Sequence, residues 1–336
     1  MPPWIANAYS LEGEGVEIAT LAKHAASHRK PLAFDDWADR LRGICGHFMP
    51  ERFERQAVVT GHVGVLQAGG IEVAHVANNL SAVRREAEDI RRDFNEHLFL
   101  LIQLEGSCGI EQREQQSVIE PGDCILIDST RPSVFHFGGR YSNHISVHLP
   151  RQLLFTKSTQ GLDVSRRLPS ADPMSVMLGS LVAKLVEVDA ADRRAPHLQQ
   201  LLFDATRQAF ATQEEIDILP SADTTGARLE IVQILIDRHL TDENLSPRWL
   251  AERLGISLRT LQEDFSFYGT TPTSLIRMRR LHLAKQQLLQ QKSAGAKPNI
   301  ADVAFAAGFN DISYFNRSFR EMFHCTPKDM LGSAKR

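Results

Sequence analysis

The sequence predicts an α+β chain of more than one domain: an antiparallel β-rich part with flanking helices, then an all-α part holding two helix-turn-helix motifs. Three observations carry this expectation. Between about Phe53 and Pro150 apolar residues recur with period two and tight turns interrupt them. From Arg228 onward the period lengthens to three and four residues. Within that helical stretch Leu250-Ala251-Glu252-Arg253-Leu254-Gly255-Ile256-Ser257 is echoed by Val303-Ala304-Phe305-Ala306-Ala307-Gly308-Phe309-Asn310. Ala at the second place suits close helix approach, and Gly at the sixth can take the positive φ that ends a helix sharply.

Residues 1–33 read as an N-terminal arm or extension. Phe34, Trp37, Leu41, Ile44 and Phe48 then fall on one face of a helix that should cover a sheet. Strands follow at 63–68, 71–76, 97–104, 108–112, 124–128, 133–137 and 144–149, punctuated by Gly69-Gly70, Glu105-Gly106-Ser107, Glu120-Pro121-Gly122-Asp123 and Gly138-Gly139. Many short strands without alternating long helices indicate an antiparallel barrel or sandwich; closure into a barrel would leave an interior able to hold a small ligand. Helices at about 173–189 and from Ala195-Pro196 to Phe210 form a hairpin suited to the sheet domain or to its copy in a second subunit. The expected layout is an arm at 1–33, a domain at 34–212, a linker at 213–226 rich in Glu, Asp, Ser and Thr, and a helical domain at 227–336.

A chain of 336 residues has room for two cores. Its net charge is -3, but Arg228 to the end carries 16 Lys/Arg against 11 Asp/Glu, whereas the remainder carries 22 against 30. That asymmetry fits a nucleic-acid module joined to a part that does not touch phosphates. The cysteines Cys45, Cys108, Cys124 and Cys325 have neither zinc-site nor disulfide spacing, so reduced thiols in the cytoplasm are expected, Cys108 and Cys124 as small core residues. No basic-then-apolar leader and no stretch of roughly 20 apolar residues is present, so neither a secretory peptide nor a membrane span is expected.

In the helical part, Ser246-Pro247 opens a helix carrying Trp249, Leu250 and Leu254, and Ser257 opens another with Leu261 and Phe265 inward. After Gly269 and Pro272 a long helix runs from about Thr273 to Gln290, and the second motif buries Phe315 and Phe319. Ile300 to Arg320, followed by Thr326-Pro327, resembles the second helix-turn-helix signature of the AraC/XylS family of bacterial transcription regulators almost throughout, and Leu250 to Phe265 resembles the first. The strand-rich part, including Glu120-Pro121-Gly122-Asp123, looks like the cupin-like sensory domain that often precedes it. The resemblance implies an N-terminal antiparallel cupin-like β-barrel with flanking helices for sensing and dimerisation. It also implies promoter DNA as partner, commonly activation with RNA polymerase as a further partner, a small organic effector, and a homodimer through the N-terminal part.

The resemblance places base-reading positions at Arg259, Gln262 and Glu263 in the first motif and at Ile312, Ser313, Asn316 and Arg317 in the second. Arg259 suits guanine N7/O6, Gln262 suits adenine or a bridge between neighbouring bases, Asn316 suits adenine, and Ile312 suits a thymine methyl. Arg317 reads guanine, clamps a phosphate, or is a solvated surface residue. Glu263 departs from the basic residue commonly expected there; it orients Arg259, accepts from cytosine N4, or has no direct role. Thr271 or Thr273 caps the connecting helix and turns its first amides to a phosphate, while Arg277, Arg279 and Arg280 supply basic surface or internal ion pairs.

For the effector, Phe99, Phe135 and Phe137 with His136 offer an apolar, aromatic strand surface with a polar partner. His136, His144 and His148 do not match a familiar cupin metal set, so neither a metal nor another cofactor is expected. Two other readings remain: an effector-independent DNA-binding regulator with a purely structural dimeriser, and a cupin-type metalloenzyme with a helical appendage. Activation and repression are not distinguishable from the residues.

Overall fold

The computed structural model describes residues 30–332 except 55–56, 94–95, 114, 156–160, 189–191, 213–223, 268 and 294. The arm expected at 1–33, apart from its last residues, and most of the linker expected at 213–226 lie outside the described residues. The chain divides into two compact units, one of residues 1–149 with 163–210 and one of residues 150–162 with 211–336.

In the N-terminal unit, β1 (Pro31–Ala33) leads into α1 (Phe34–Cys45), which buries Trp37 and Leu41 of the expected face together with Ala38 and Cys45, while Phe34 and Ile44 stay half-buried. Next come β2 (Met49–Glu51), β3 (Val58–Thr60), β4 (His62–Ala68), β5 (Ile71–Asn78) and β6 (Ala82–Arg85). The short α2 (Ala87–Asp93) precedes β7 (His97–Glu105), β8 (Cys108–Gln112), β9 (Gln115–Ile119), β10 (Cys124–Asp128), β11 (Ser133–His136) and β12 (Ser142–Pro150). Gly69 and Gly70, at φ of 57° and 83°, make the tight reversal between β4 and β5, which a side-chain-bearing pair would strain.

The strands form two larger sheets. One has six strands in the order β13-β10-β7-β12-β5-β4, where β13 is Arg167–Leu168, and the other has five in the order β2-β6-β11-β8-β9. Val76, Phe99, Leu101, Ile125 and Ile127 of the first share one apolar core with Val83, Cys108, Ile110 and Phe135 of the second. Among the described residues neither sheet closes on itself, which corrects the expected cupin-like barrel: this is a pair of open sheets. The edges explain why. β13 has two residues and β2 three, with Pro50 lacking an amide proton, so these borders cannot extend the hydrogen-bond ladder. At the opposite border of the larger sheet, α1 and the helix Pro173–Glu187 lie against β4.

The strand β12 continues into the five-residue α3 (Arg151–Phe155), which belongs to the C-terminal unit. The helices α4 (Pro173–Glu187) and α5 (Ala195–Ala209) return to the N-terminal unit and pack on each other. Asp172 caps α4 by accepting from the Met174 amide at 2.8 Å.

The C-terminal unit continues with α6 (Thr225–Arg238), α7 (Pro247–Leu254), α8 (Leu258–Phe267), α9 (Pro272–Ser293), α10 (Ile300–Ala306), α11 (Ile312–Phe323) and α12 (Pro327–Gly332). The long α9 packs against α3, α8, α10, α11 and α12, so it carries both motifs on one rigid axis. Its Arg279 and the Arg151 of α3 bind the same Asp237 oxygen of α6, at 2.8 and 2.6 Å, and all three side chains are almost fully buried. Arg280 is also internal: it donates to the Leu240 and Asp242 carbonyls at 2.9 and 2.6 Å. At the turn of the second motif Gly308 has φ of 90°, and a Cβ there would meet the Leu240 carbonyl oxygen at 2.8 Å. Only glycine meets both demands.

Candidate DNA interface and ligand cavity

Each motif is set by its caps. Ser246 accepts from the Trp249 amide at 3.3 Å to start α7, and Gly255, left-handed at φ of 65°, ends it. Ser257 accepts from the Thr260 amide at 3.0 Å to start α8. In the second motif Asn299 accepts from the Ala301 amide at 3.1 Å, and Asp311 accepts from the Tyr314 amide at 2.9 Å to start α11. Replacing one such cap with Ala typically costs about 1 kcal/mol, so each helix start is well specified by sequence.

With Leu261 and Phe265 buried on α8, and Phe315 and Phe319 buried on α11, the opposite faces are presented outward. Arg259, Gln262 and Glu263 are exposed on α8. Ser313, Asn316 and Arg317 are exposed on α11, and Ile312 is half-buried at its first turn. Arg259 Nε donates to Glu263 Oε1 at 2.8 Å across one helical turn. With side chains 87% and 63% exposed, such a pair contributes only about 0.3–0.5 kcal/mol, so a ligand can displace it cheaply. Arg317 lies 6.0 Å from the Tyr314 ring. Thr271 accepts from the Ser274 amide at 3.1 Å and so caps α9, with Thr273 exposed in its first turn.

In the N-terminal unit a cavity lies between the two sheets and against α1. Trp37, Leu41 and Cys45 come from α1, Val76 and Asn78 from β5, Phe99 and Leu101 from β7, and His144 and Ser146 from β12. Val83, Phe135 and Phe137 line it from the opposite sheet, with Phe48 between. It encloses about 40 Å³, and the unfilled space counting its mouth is about 420 Å³. Phe99, Phe135 and Phe137 thus share this wall, while His136 does not line it and instead meets Glu111 at 3.2 Å on a half-exposed surface.

The cavity's polar side chains are Asn78, His144 and Ser146, none of them in the effector set expected from sequence. Asn78 accepts from the Leu80 amide at 3.0 Å through Oδ1, which leaves Nδ2 buried with no partner. His144 is 6% exposed and its Nδ1 also has no partner. Each buried polar atom left so costs about 1–3 kcal/mol. Burial, with His75 nearby, pushes the His144 pKa down to about 4, so its ring is neutral. The alternation Ser142-Asn143-His144-Ile145-Ser146 carries the signal that finds this residue, because a period of two puts Ser142, His144 and Ser146 on one face.

A second arrangement touches the same cavity. Cys45 Sγ is 3.8 Å from His148 Nε2, and His148 Nδ1 is 3.5 Å from Glu72 Oε2. The order has the outline of a cysteine nucleophile with its base. Burial, reinforced by Glu72, pushes the thiol up to about 12, so it stays protonated and lacks the thiolate that attacks. Cys108 and Cys124 are buried too, and burial raises both thiols, as suits the core role expected of them. Among the described residues no group of three His, Cys, Asp or Glu is placed to hold a metal ion, and no helix is long and apolar enough to cross a membrane.

Residues 37–212 match the family described as AraC-binding-like domain, and residues 250–333 match the family described as helix-turn-helix domain. The transcriptional activator NphR of Rhodococcus sp is 30% identical over 271 residues, covering 77% of this chain and 77% of that protein. The transcriptional activator RhrA of Rhizobium meliloti (strain 1021) is 32% identical over 117 residues, covering 35% of this chain and 36% of that protein. The crystal structure of the AraC-like transcriptional activator CuxR aligns with a TM-score of 0.49 and 15% identity, over 83% of this chain and 99% of that one.

Proposed function

We propose how this chain acts from one premise: it belongs to the AraC/XylS family of transcription regulators, and it is a sequence-specific DNA-binding regulator. The observation that carries the DNA-binding mode is the pair of capped helices, α8 and α11, both held by α9 with polar faces outward. Each helix enters a major groove. Arg259 reads guanine, Gln262 and Asn316 read adenine, and Ile312 meets a thymine methyl. Ser313 and Arg317 add contacts at the second helix, and the Thr271-capped start of α9, with Thr273 beside it, faces a phosphate. Glu263 orients Arg259, which its hydrogen bond in the free protein supports.

Transcriptional activation is favoured by the likeness to the transcriptional activators NphR and RhrA; activation would make RNA polymerase a further partner. A small organic effector in the N-terminal cavity sets the activity. The strand β12 supplies His144 and Ser146 to the cavity wall and runs on into α3, so a ligand that moves β12 acts on the C-terminal unit through the chain itself. The test is selection from a random duplex library with the full chain. An enriched motif is expected, along with affinity for it that falls linearly with salt on logarithmic axes, because bound phosphates release counterions. Absence of any enriched motif, or a flat salt response, removes the reading.

The N-terminal unit also forms the homodimer. On α4 and α5 the apolar Val176, Met177 and Leu201 are 37%, 38% and 54% exposed, although each helix already buries another face. Leu201→Glu is expected to weaken self-association about tenfold or more while leaving the fold intact, since a charge would be buried unpaired at the interface. Sedimentation of both proteins over a dilution series measures it; unchanged association places the interface elsewhere.

A further inference from the structure

We propose that the cavity of the N-terminal unit takes a small uncharged molecule of one ring and one hydroxyl, the hydroxyl held between Asn78 and His144. The proposal rests on the effector reading above and adds the class of ligand. Both orphaned polar atoms, Asn78 Nδ2 and His144 Nδ1, belong to side chains lining this one cavity. Asn78 lies opposite Ser142 in the β5–β12 pairing, and His144 is two residues further along β12. The two are therefore diagonal neighbours on one face, close enough for a single polar group to reach both.

Their roles are complementary. With Oδ1 engaged by the Leu80 amide, Asn78 can only donate from Nδ2. In its Nε2-protonated tautomer neutral His144 accepts at Nδ1, and that tautomer is the one proposed. A hydroxyl oxygen accepts the first bond and its proton makes the second, so one group satisfies both atoms. Ser146, 4% exposed on the same face, adds polarity without charge.

The remaining wall decides the body and the charge of the ligand. Trp37, Phe48, Phe99, Phe135 and Phe137 surround the space with aromatic surface, which suits a flat apolar ring. None of the lining residues is Lys, Arg, Asp or Glu. Arg85, over the Phe48 ring at 5.1 Å, is held by Asp93 through bonds of 2.7 and 2.8 Å. An anion would therefore lose its water without gaining a counter-charge. An enclosed volume of about 40 Å³ restricts the ligand to a single ring that also occupies part of the mouth.

The test uses the full chain with three probes of similar size: benzyl alcohol, ethylbenzene and benzoate, each followed by calorimetry and thermal shift. Benzyl alcohol is expected to bind about tenfold or more tightly than the other two, as two hydrogen bonds to buried groups require. Asn78→Asp, which keeps the acceptor for Leu80, and His144→Phe should each lower that affinity about tenfold while changing ethylbenzene binding less than about threefold. If ethylbenzene or benzoate binds as well as benzyl alcohol, the ligand class is wrong and a sensing cavity remains. Should no probe bind up to its solubility, the sensing reading fails with it, and the orphaned atoms are hydrated only. If either variant does not fold, the ranking of probes on the unaltered chain decides alone.

Discussion

Asp237→Asn should destabilise the C-terminal unit by about 3–5 kcal/mol, the range for breaking a buried ion pair from one side. The reason is the geometry at its carboxylate. Arg151 of α3 and Arg279 of α9 both donate to Oδ1, at 2.6 and 2.8 Å, and their side chains are 2% and 1% exposed. An amide keeps the shape but removes the charge that both guanidiniums share, in a place where water cannot replace it. Three helices meet there, so the loss also loosens α9, the axis on which both motifs sit. Urea unfolding should show the C-terminal transition at much lower denaturant, with the N-terminal transition little changed. A shift worth less than about 1 kcal/mol would mean that the cluster merely persists without stabilising, as some buried ion pairs do. The companion Arg151→Met should be milder, because it leaves Asp237 still paired with Arg279.

Much of the C-terminal unit was legible in the sequence because its information is local. Ser246, Ser257 and Asp311 are cap residues by type, Gly255 and Gly308 are turn residues by type, and Leu261/Phe265 and Phe315/Phe319 mark the buried stripes by spacing. The Arg279 and Arg280 contacts were open between surface and interior, since helix spacing says which face a residue occupies and not what packs against it. Arg151 was not legible at all. The helix α3 has five residues, Arg151-Gln152-Leu153-Leu154-Phe155, too few to display a period, and its partner Asp237 is far away in sequence.

The N-terminal unit was legible strand by strand and misread as a whole. The short apolar run of β7 identifies a strand, but Leu98, Leu100 and Ile102 are as buried as Phe99 and Leu101, so burial alone does not say where the sheet ends. Closure is settled at the borders, and one border of each sheet here is Met49-Pro50-Glu51 or Arg167-Leu168, segments too short to be seen as strands. The same limit applies to the cavity. Its aromatic wall could be named from composition, whereas His136 and His144 differ only in which side of their strands they occupy. His136 pairs with Gly109 and faces outward beside Glu111; His144 pairs with Val76 and faces in.

The double variant Arg259→Ala/Asn316→Ala is expected to lose about 2–6 kcal/mol of discrimination between the selected duplex and a scrambled one, about 30-fold to 2 × 10⁴-fold. Each side chain supplies about 1–3 kcal/mol by bidentate bonding to a base edge. The two lie on separate helices, α8 and α11, so their losses should add. Arg259 can reach DNA at small cost, since the bond it gives up to Glu263 is an exposed pair one turn away. Asn316 sits one turn beyond Ile312 on the exposed face of α11, and its amide offers the donor and acceptor that adenine N7 and N6 require. Binding to the scrambled duplex should fall far less, because non-specific affinity depends on phosphate charge, of which Asn316 carries none and Arg259 is one cation among 16 Lys/Arg from Arg228 onward. Fluorescence anisotropy at one fixed salt concentration compares the two duplexes for each single variant and for the pair. Parallel weakening on both would reassign these side chains from base edges to the phosphate backbone and leave specificity to other residues on the same faces.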